Sequence, residues 1–285
     1  MRFSIDAATC ISCDACVREC PNGAVRRDPD GIYRIRDSRC IRCSHCAAVC
    51  PVDAVHSDQG SFRGWKAPGL PPETVGEFLR GKRSVRRHRK EDIPDAVLDE
   101  LLATGSLAAT ASNTQDCHAA ILRGPALERC RDGVMAVYAA LHRLVTNRLI
   151  RVLLRLTEAR RYVTNPGRME QFDEMIRDHR AGKDRLFFGA PVVVVLSAPR
   201  RNKRFGKSDC VLAGAHMMLH AESFGIGSCM IGFAEVVLNQ RARLRRELGI
   251  PRGNRVNLVF TLGYSDVRYV RLPIRRSLTD APAPP

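Results

Sequence analysis

Eight cysteines in two short, closely matching runs constrain this chain more than anything else in it. Residues 10–25 read CISCDACVRECPNGAV and residues 40–55 read CIRCSHCAAVCPVDAV. Every cysteine, the first isoleucine, the proline and the closing Ala-Val recur thirty residues later, so the segment is a duplicated half-domain. Each half is expected to supply short strands and one short helix. Both runs have the spacing C-x-x-C-x-x-C-x-x-x-C-P. Three thiolates two residues apart can wrap one face of an iron–sulfur cubane, while the fourth points away to a second one. This assigns Cys10, Cys13, Cys16 and Cys50 to one [4Fe–4S] cluster, and Cys40, Cys43, Cys46 and Cys20 to the other. Pro21 and Pro51 turn the chain after the fourth ligand. Zinc on paired CxxC motifs is the competing reading, but a four-ligand zinc site has no use for a third cysteine two residues on. His45, between two ligands, is read as solvated on the rim of its site.

The double run resembles two-cluster bacterial ferredoxins over residues 1–58. The remaining cysteines, Cys117, Cys130, Cys210 and Cys229, are scattered. A compartment that makes disulfides would oxidise the thiols a cluster needs, so these four read as small buried hydrophobes. No apolar run reaches about eighteen residues, which argues against a membrane-crossing helix. The start, MRFSIDAATC, has no apolar signal core, and a cytoplasmic location is expected. The net charge of +16, from 46 Lys and Arg against 30 Asp and Glu, favours acidic partners. Nucleic acid, an anionic membrane, a phosphorylated cofactor and an acidic electron carrier all fit. Without a zinc finger, RNA-binding motif or helix-turn-helix, nucleic acid ranks low.

Beyond the cysteines the composition changes. Residues 59–73, QGSFRGWKAPGLPPE, are rich in Gly and Pro and read as a linker. From residue 74 on, long helices with a few strands are expected. Helices are predicted over 95–107, over 125 to about 156 with Val134, Val137, Leu141, Leu144, Val145, Val152 and Leu156 on one side, and over 209–224. The last is nearly all apolar and stops at Gly225. VVVVLS at 192–197 reads as a strand buried on both faces, and VNLVFTLG at 256–263 as another.

Five segments in order carry a second resemblance. KRSVR (82–86), AATASNTQ (108–115), FGAPVVVVL (188–196), DCVLAGAHMMLHAESFGIGSCMIG (209–232) and NLVFTLGYSD followed by RLPIRR (257–276) resemble the successive motifs of nitroreductase-family flavoproteins. The resemblance covers nearly all of residues 74–280. It implies an α+β fold: a small ferredoxin-like domain of two βαβ-like halves, fused to a domain at 74–285 with a central, mainly antiparallel sheet and long dimer helices. It implies FMN as cofactor and a homodimer with flavins at the interface. On the family pattern Lys82, Arg83, Ser84 and Arg86 reach the ribityl-phosphate end and the pyrimidine. Arg275 and Arg276 return to the same phosphate, whose two negative charges suit guanidinium and ammonium donors. Thr110, Ala111 and Asn113 line the flavin from the other subunit, and the Ile231–Gly232 backbone lies near the reactive N5. The helix over 209–224 becomes the central dimer helix, with His216 and His220 packed and hydrogen-bonded rather than catalytic. Two departures stand out: Ala109-Thr110 replaces the family's Pro-Ser, and Asp116-Cys117 its Pro-Trp. Both lie toward the substrate side, so the substrate is expected to differ while FMN stays. Cys117 reads as structural, its only neighbouring histidine being His118.

Residues 125–187 form an insertion rich in arginine: Arg143, Arg148, Arg151, Arg155, Arg160 and Arg161. A lid over the flavin, an amphipathic helix on an anionic membrane, and a helix with a solvated basic face are the three readings. Together the parts describe an oxidoreductase in which electrons pass through two clusters to FMN and on to an electron-poor acceptor of the nitro, quinone or enone type. Reduced ferredoxin or flavodoxin, both acidic, or NAD(P)H would be the donor. The alternative is a module relaying electrons between clusters, FMN and a protein partner, without reducing a small molecule. A redox or flavin sensor is disfavoured by the missing DNA-binding motif.

Overall fold

The computed structural model describes residues 1–147 and 166–279. The chain forms two compact units, Met1–Leu70 with Thr110–Gln115, and Pro71–Ala109 with Asp116–Pro285. The boundary falls inside the Gly/Pro-rich stretch, and the six residues 110–115 join the first unit.

The first unit runs β1 (Phe3–Ile5), α1 (Ala15–Glu19), β2 (Val25–Arg27), β3 (Tyr33–Ile35), α2 (His45–Ala48) and β4 (Val55–Ser57). Strands β1 and β4 pair antiparallel, as do β2 and β3. The two strands of one half therefore never pair with each other. Each pairs with a strand of the opposite half, so the duplicated halves interlock. The apolar core is small: Phe3, Ala47 and Val55 are buried, with Ile5, Ile35 and the side chains of Cys40, Cys46 and Cys50 against them.

The second unit holds α3 (Pro72–Gly81), α4 (Asp95–Ser106), β5 (His118–Leu122), α5 (Gly124–Thr146), α6 (Pro166–Arg180), β6 (Val192–Pro199), α7 (Gly206–Ser223), β7 (Ile226–Met230), α8 (Gly232–Gln240), α9 (Ala242–Glu247) and β8 (Asn254–Tyr264). The sheet order is β5-β6-β8-β7, antiparallel throughout. In β6 the alternation of a strand splits the valines between two cores. Val193 and Val195 pack with Cys130, Val134 and Tyr138 of α5 and Val237 and Leu238 of α8. Val192 and Val194 pack with Leu98 and Leu101 of α4 and Cys210 and Met217 of α7. Helices on both faces explain why this strand reads as a continuous β-branched run.

The helix expected from 125 starts at Gly124, with Pro125 in its first turn where a missing N–H costs nothing. Val152, Leu156, Arg148, Arg151, Arg155, Arg160 and Arg161 lie outside the described residues. Helix α7 seats Ala213, Gly214, Met217, Met218 and Ala221 against the sheet. A Cβ at Gly214 would fall 2.3 Å from Leu258 Cδ2 and 3.3 Å from Leu196 Cδ1, so this glycine sets how closely α7 lies on β6 and β8. Gly214→Val is expected to destabilise the unit by about 1–3 kcal/mol through overpacking, read as a lowered denaturant midpoint at unchanged slope. The opposite face of α7 is uncovered in the single chain. His216 is exposed beside Leu212, which is 46% exposed, because positions 212 and 216 turn away from the sheet. His220 does pack: its Nδ1 lies 2.7 Å from Thr104 Oγ1, and its ring lies 5.1 Å from that of Phe224.

Candidate redox sites

Each cysteine run curls in the same way. Ser12 and Asp14 in the first run, and Arg42 and Ser44 in the second, take left-handed φ values of 56°, 58°, 59° and 65°. Non-glycine residues adopt this conformation at a cost of about 1–2 kcal/mol, so its recurrence at the same two motif positions marks a demanded geometry. The curl turns successive thiols to one side before α1 or α2 begins. The Tyr33 hydroxyl donates to Asp14 Oδ1 at 2.5 Å and pins the first curl.

Two cavities result. One is lined by Cys20, Cys40, Cys43 and Cys46 with Phe3 and Ile35. The other is lined by Cys10, Cys13, Cys16 and Cys50 with Ile5 and Tyr33. The quartets are disjoint, and each takes its fourth thiol from the opposite run. Cys20 Sγ accepts the Ala24 N–H at 3.1 Å, and Cys50 Sγ accepts the Ala54 N–H at 3.2 Å, the same bond thirty residues apart. Backbone N–H donors to sulfur suit a thiolate that carries charge in an apolar setting. Burial pushes the Cys46 thiol up to about 11, so the charge of a bound metal has to help hold the thiolate there. His45 is half exposed, 3.3 Å from Glu19 Oε1. Four thiols around an apolar hollow fit an iron–sulfur cubane.

Thr110, Ala111 and Asn113 belong to this first unit. Ser112, Asn113 and Gln115 all have positive φ, and the Thr110 hydroxyl accepts the Gln115 N–H at 3.0 Å. The Asn113 amide donates to the carbonyls of Ile41 and Arg42 at 3.1 and 2.8 Å, between Cys40 and Cys43.

In the second unit the basic segment lies along β7. The Val85 N–H donates to Ser228 O at 3.0 Å, and Ser84 bridges Ser228 in parallel. Gly227 allows this approach, since a Cβ there would fall 2.4 Å from Val85 Cγ2. Lys82 Nζ donates to Glu222 Oε1 at 2.6 Å, Ser228 Oγ at 2.8 Å and its neighbour's carbonyl at 2.9 Å. Arg83 donates to the carbonyls of Arg80, Lys82 and Arg271, over the ring of Tyr269. Arg87 meets Asp266 at 3.1 Å. The basic segment thus holds the start of the C-terminal tail. Arg275 and Arg276 further along it are exposed. Arg86 makes a long 3.5 Å contact to Ser84 O, with its guanidinium 5.8 Å from the Phe188 ring centre.

At the end of β7, Ile231 is buried and its N–H donates to Val259 O at 2.8 Å. Gly232 opens α8 at the surface, and a Cβ there would meet no atom within 4 Å. Gly232 leaves open ground at the start of α8. Glu222, Ser228 and Tyr269 complete this surroundings without having been legible: nothing near them in sequence marks them, and only the pairing of distant segments brings them to Lys82 and Arg83.

His88 sits behind the same segment, its Nδ1 3.3 Å from Gly263 O and its Nε2 buried without a hydrogen-bond partner among the described residues. Burial holds its pKa below the ordinary 6.5, against the Gly263 carbonyl. The folded protein keeps this imidazole neutral where the unfolded chain binds a proton. Its contribution to stability is therefore full above 6.5 and is lost as pH falls through the lower folded value. Melting midpoints measured from about pH 7 to about pH 5 are expected to fall less in His88→Gln than in the parent.

A model described as the nitroreductase family matches residues 79–264. The chain belongs to that family. A model described as a 4Fe-4S dicluster domain matches residues 3–57. Nitroreductase NfnB of Mycolicibacterium smegmatis is 26% identical over 230 residues, covering 70% of this chain and 88% of its own. An NADH dehydrogenase of Thermus thermophilus is 25% identical over 201 residues, covering 68% and 90%. Among solved structures, a nitroreductase with bound FMN from Bacteroides fragilis superposes with a TM-score of 0.54 at 20% identity, covering 73% of this chain and 98% of its own. The α+β nitroreductase fold with an antiparallel sheet is thus common to both, and the iron–sulfur unit stands N-terminal to it.

Proposed function

We propose that this chain is an iron–sulfur flavoprotein oxidoreductase, taking electrons through two [4Fe–4S] clusters to FMN and delivering them to an electron-poor organic acceptor. The observation that carries the reading is one family fold joined to two cysteine quartets, each around its own cavity. Cys10, Cys13, Cys16 and Cys50 hold one cluster, and Cys40, Cys43, Cys46 and Cys20 the other. When bound, the clusters supply one-electron steps and FMN the two-electron hydride chemistry.

The chain's own groups position and bias that chemistry. Arg86, Arg275 and Arg276 offer guanidinium donors to the FMN phosphate, with Lys82, Arg83 and Ser84 shaping the segment behind it. Fixed cations there favour added negative charge on the ring system. Gly232 leaves room for the ring and substrate to approach the backbone. Thr110, Ala111 and Asn113 serve the flavin of a second copy. The homodimer uses the outward face of α7, where Leu212 is 46% exposed, with Phe233 and Val236 of α8 at 47% and 55%. Acceptors of the nitro, quinone or enone type suit the family. A reduced ferredoxin or flavodoxin as donor suits the +16 charge. No helix among the described residues is long and apolar enough to cross a membrane.

Anoxic purification with iron, sulfide and flavin counts, followed by stopped-flow reduction, tests this. Flavin reduction by reduced ferredoxin faster than by NADH or NADPH supports the donor, and equal rates count against it. Rapid reduction of an acceptor protein, with no turnover of nitroaromatics, quinones or enones, would replace the enzyme by an electron-transfer module.

A further inference from the structure

Four cysteines lie outside the cluster motifs, and they are of two kinds. Cys130 and Cys229 lie in one apolar core, where burial pushes the Cys130 thiol up to about 12 and the Cys229 thiol donates to the Met230 carbonyl at 3.6 Å. Cys117 and Cys210 instead face each other, their sulfurs 3.6 Å apart, although 93 residues separate them. Each follows an aspartate, and Asn202 ties the two Asp-Cys steps together. Its amide donates to Asp116 Oδ1 at 3.2 Å and Asp209 Oδ2 at 3.3 Å. Asn257 donates to Cys210 Sγ at 3.6 Å and to Gly206 O at 3.1 Å, holding the first turn of α7 in place. The start of β5 and the start of α7 are thus fixed with two thiols in van der Waals contact.

We propose that Cys117 and Cys210 form a dithiol centre that a hydroperoxide closes to a disulfide. The two sulfurs differ as such a centre requires. Cys210 is fully buried, whereas Cys117 is partly accessible. The Cys210 S–H hydrogen bond lowers the Cys117 pKa, against burial and the carboxylates of Asp209 and Asp116. Cys210, the donor, is pushed up by that same bond and by burial. Cys117 is therefore the nucleophile and Cys210 the resolving thiol. The Cys117 thiolate attacks the hydroperoxide, the O–O bond breaks, and the alkoxide leaves and takes up the proton Cys117 gave up. A sulfenic acid results. Cys210 then attacks the sulfenic sulfur, the S–S bond forms, and water leaves with the Cys210 proton. In sum two thiols and one hydroperoxide give a disulfide, an alcohol and water. Closure from 3.6 Å to a bond of about 2.05 Å needs roughly 1.5 Å of sulfur movement, within reach of side-chain rotation.

The test treats the holoenzyme with an organic hydroperoxide, then denatures it in an alkylating agent and digests it with trypsin. Cys117 falls in peptide 91–123, and Cys210 shares peptide 208–241 with Cys229. The expected product is these two peptides cross-linked with loss of two hydrogen masses, reversed by a reductant. It should form in the parent and in C229A, and be absent from C210S, where a diketone probe should capture Cys117 sulfenic acid. The proposal is overturned if both thiols of the parent stay alkylatable in excess hydroperoxide. It is equally overturned if Cys117 of the parent proceeds to sulfinic acid without a cross-link. Neither result depends on a variant folding.

Discussion

Cys20→Ser is expected to halve the iron and inorganic sulfide of the purified protein, and to remove the same cluster as Cys43→Ser. Cys20 lies in the first cysteine run, yet it lines the cavity of Cys40, Cys43 and Cys46. The double variant of Cys20 and Cys43 should therefore lose no more iron than either single one. Combining Cys20→Ser with Cys13→Ser should remove both clusters, since Cys13 lines the other cavity. Serine keeps the volume but replaces a soft thiolate by a poor iron ligand, so the loss is nearly complete rather than graded. Iron and sulfide analysis with low-temperature electron paramagnetic resonance reads the outcome. Were Cys20 and Cys13 to delete the same signal, the crossed assignment would be wrong. Electron delivery to the flavin should fall with either cluster.

Gly232→Leu is expected to lower turnover on the order of 100-fold while leaving the fold intact. The asymmetry is physical. A Cβ at Gly232 would meet nothing of this chain within 4 Å, so added bulk costs the folded protein little. The same bulk would stand where the flavin ring and substrate are proposed to approach. Gly214 gives the opposite pattern, because its missing Cβ is filled by Leu258 and Leu196. The pair separates a glycine required by a ligand from one required by packing. Flavin content, steady-state rates and melting midpoints should be measured on both. A Gly232→Leu protein with full flavin and unchanged rates would remove Gly232 from the site.

Strands β6 and β8 and helices α4 and α7 were legible because each carries its periodicity in local sequence, and burial on both faces writes itself as VVVVLS. Their ends shifted by at most three residues, since the last residues of an element answer to their neighbours. An apolar helix signals burial but not which side is covered in one chain, and the face with Leu212 and His216 points outward.

By itself the sequence determined the two thiol triplets, because ligand spacing within a motif is local and the duplicated curl at Ser12, Asp14, Arg42 and Ser44 needs only the motif to form. It also carried the order of the flavin-family segments. Only the tertiary structure decided that Lys82 answers to Glu222 and Ser228, and that Asn113 is tied to the Cys40–Cys43 loop. It alone decided that two of the scattered cysteines touch. Each of these contacts joins residues roughly seventy to a hundred and fifty positions apart. A hydrogen bond or a sulfur contact depends on final distance, and distances across such separations are set when the sheet and helices pack, with no trace in local composition.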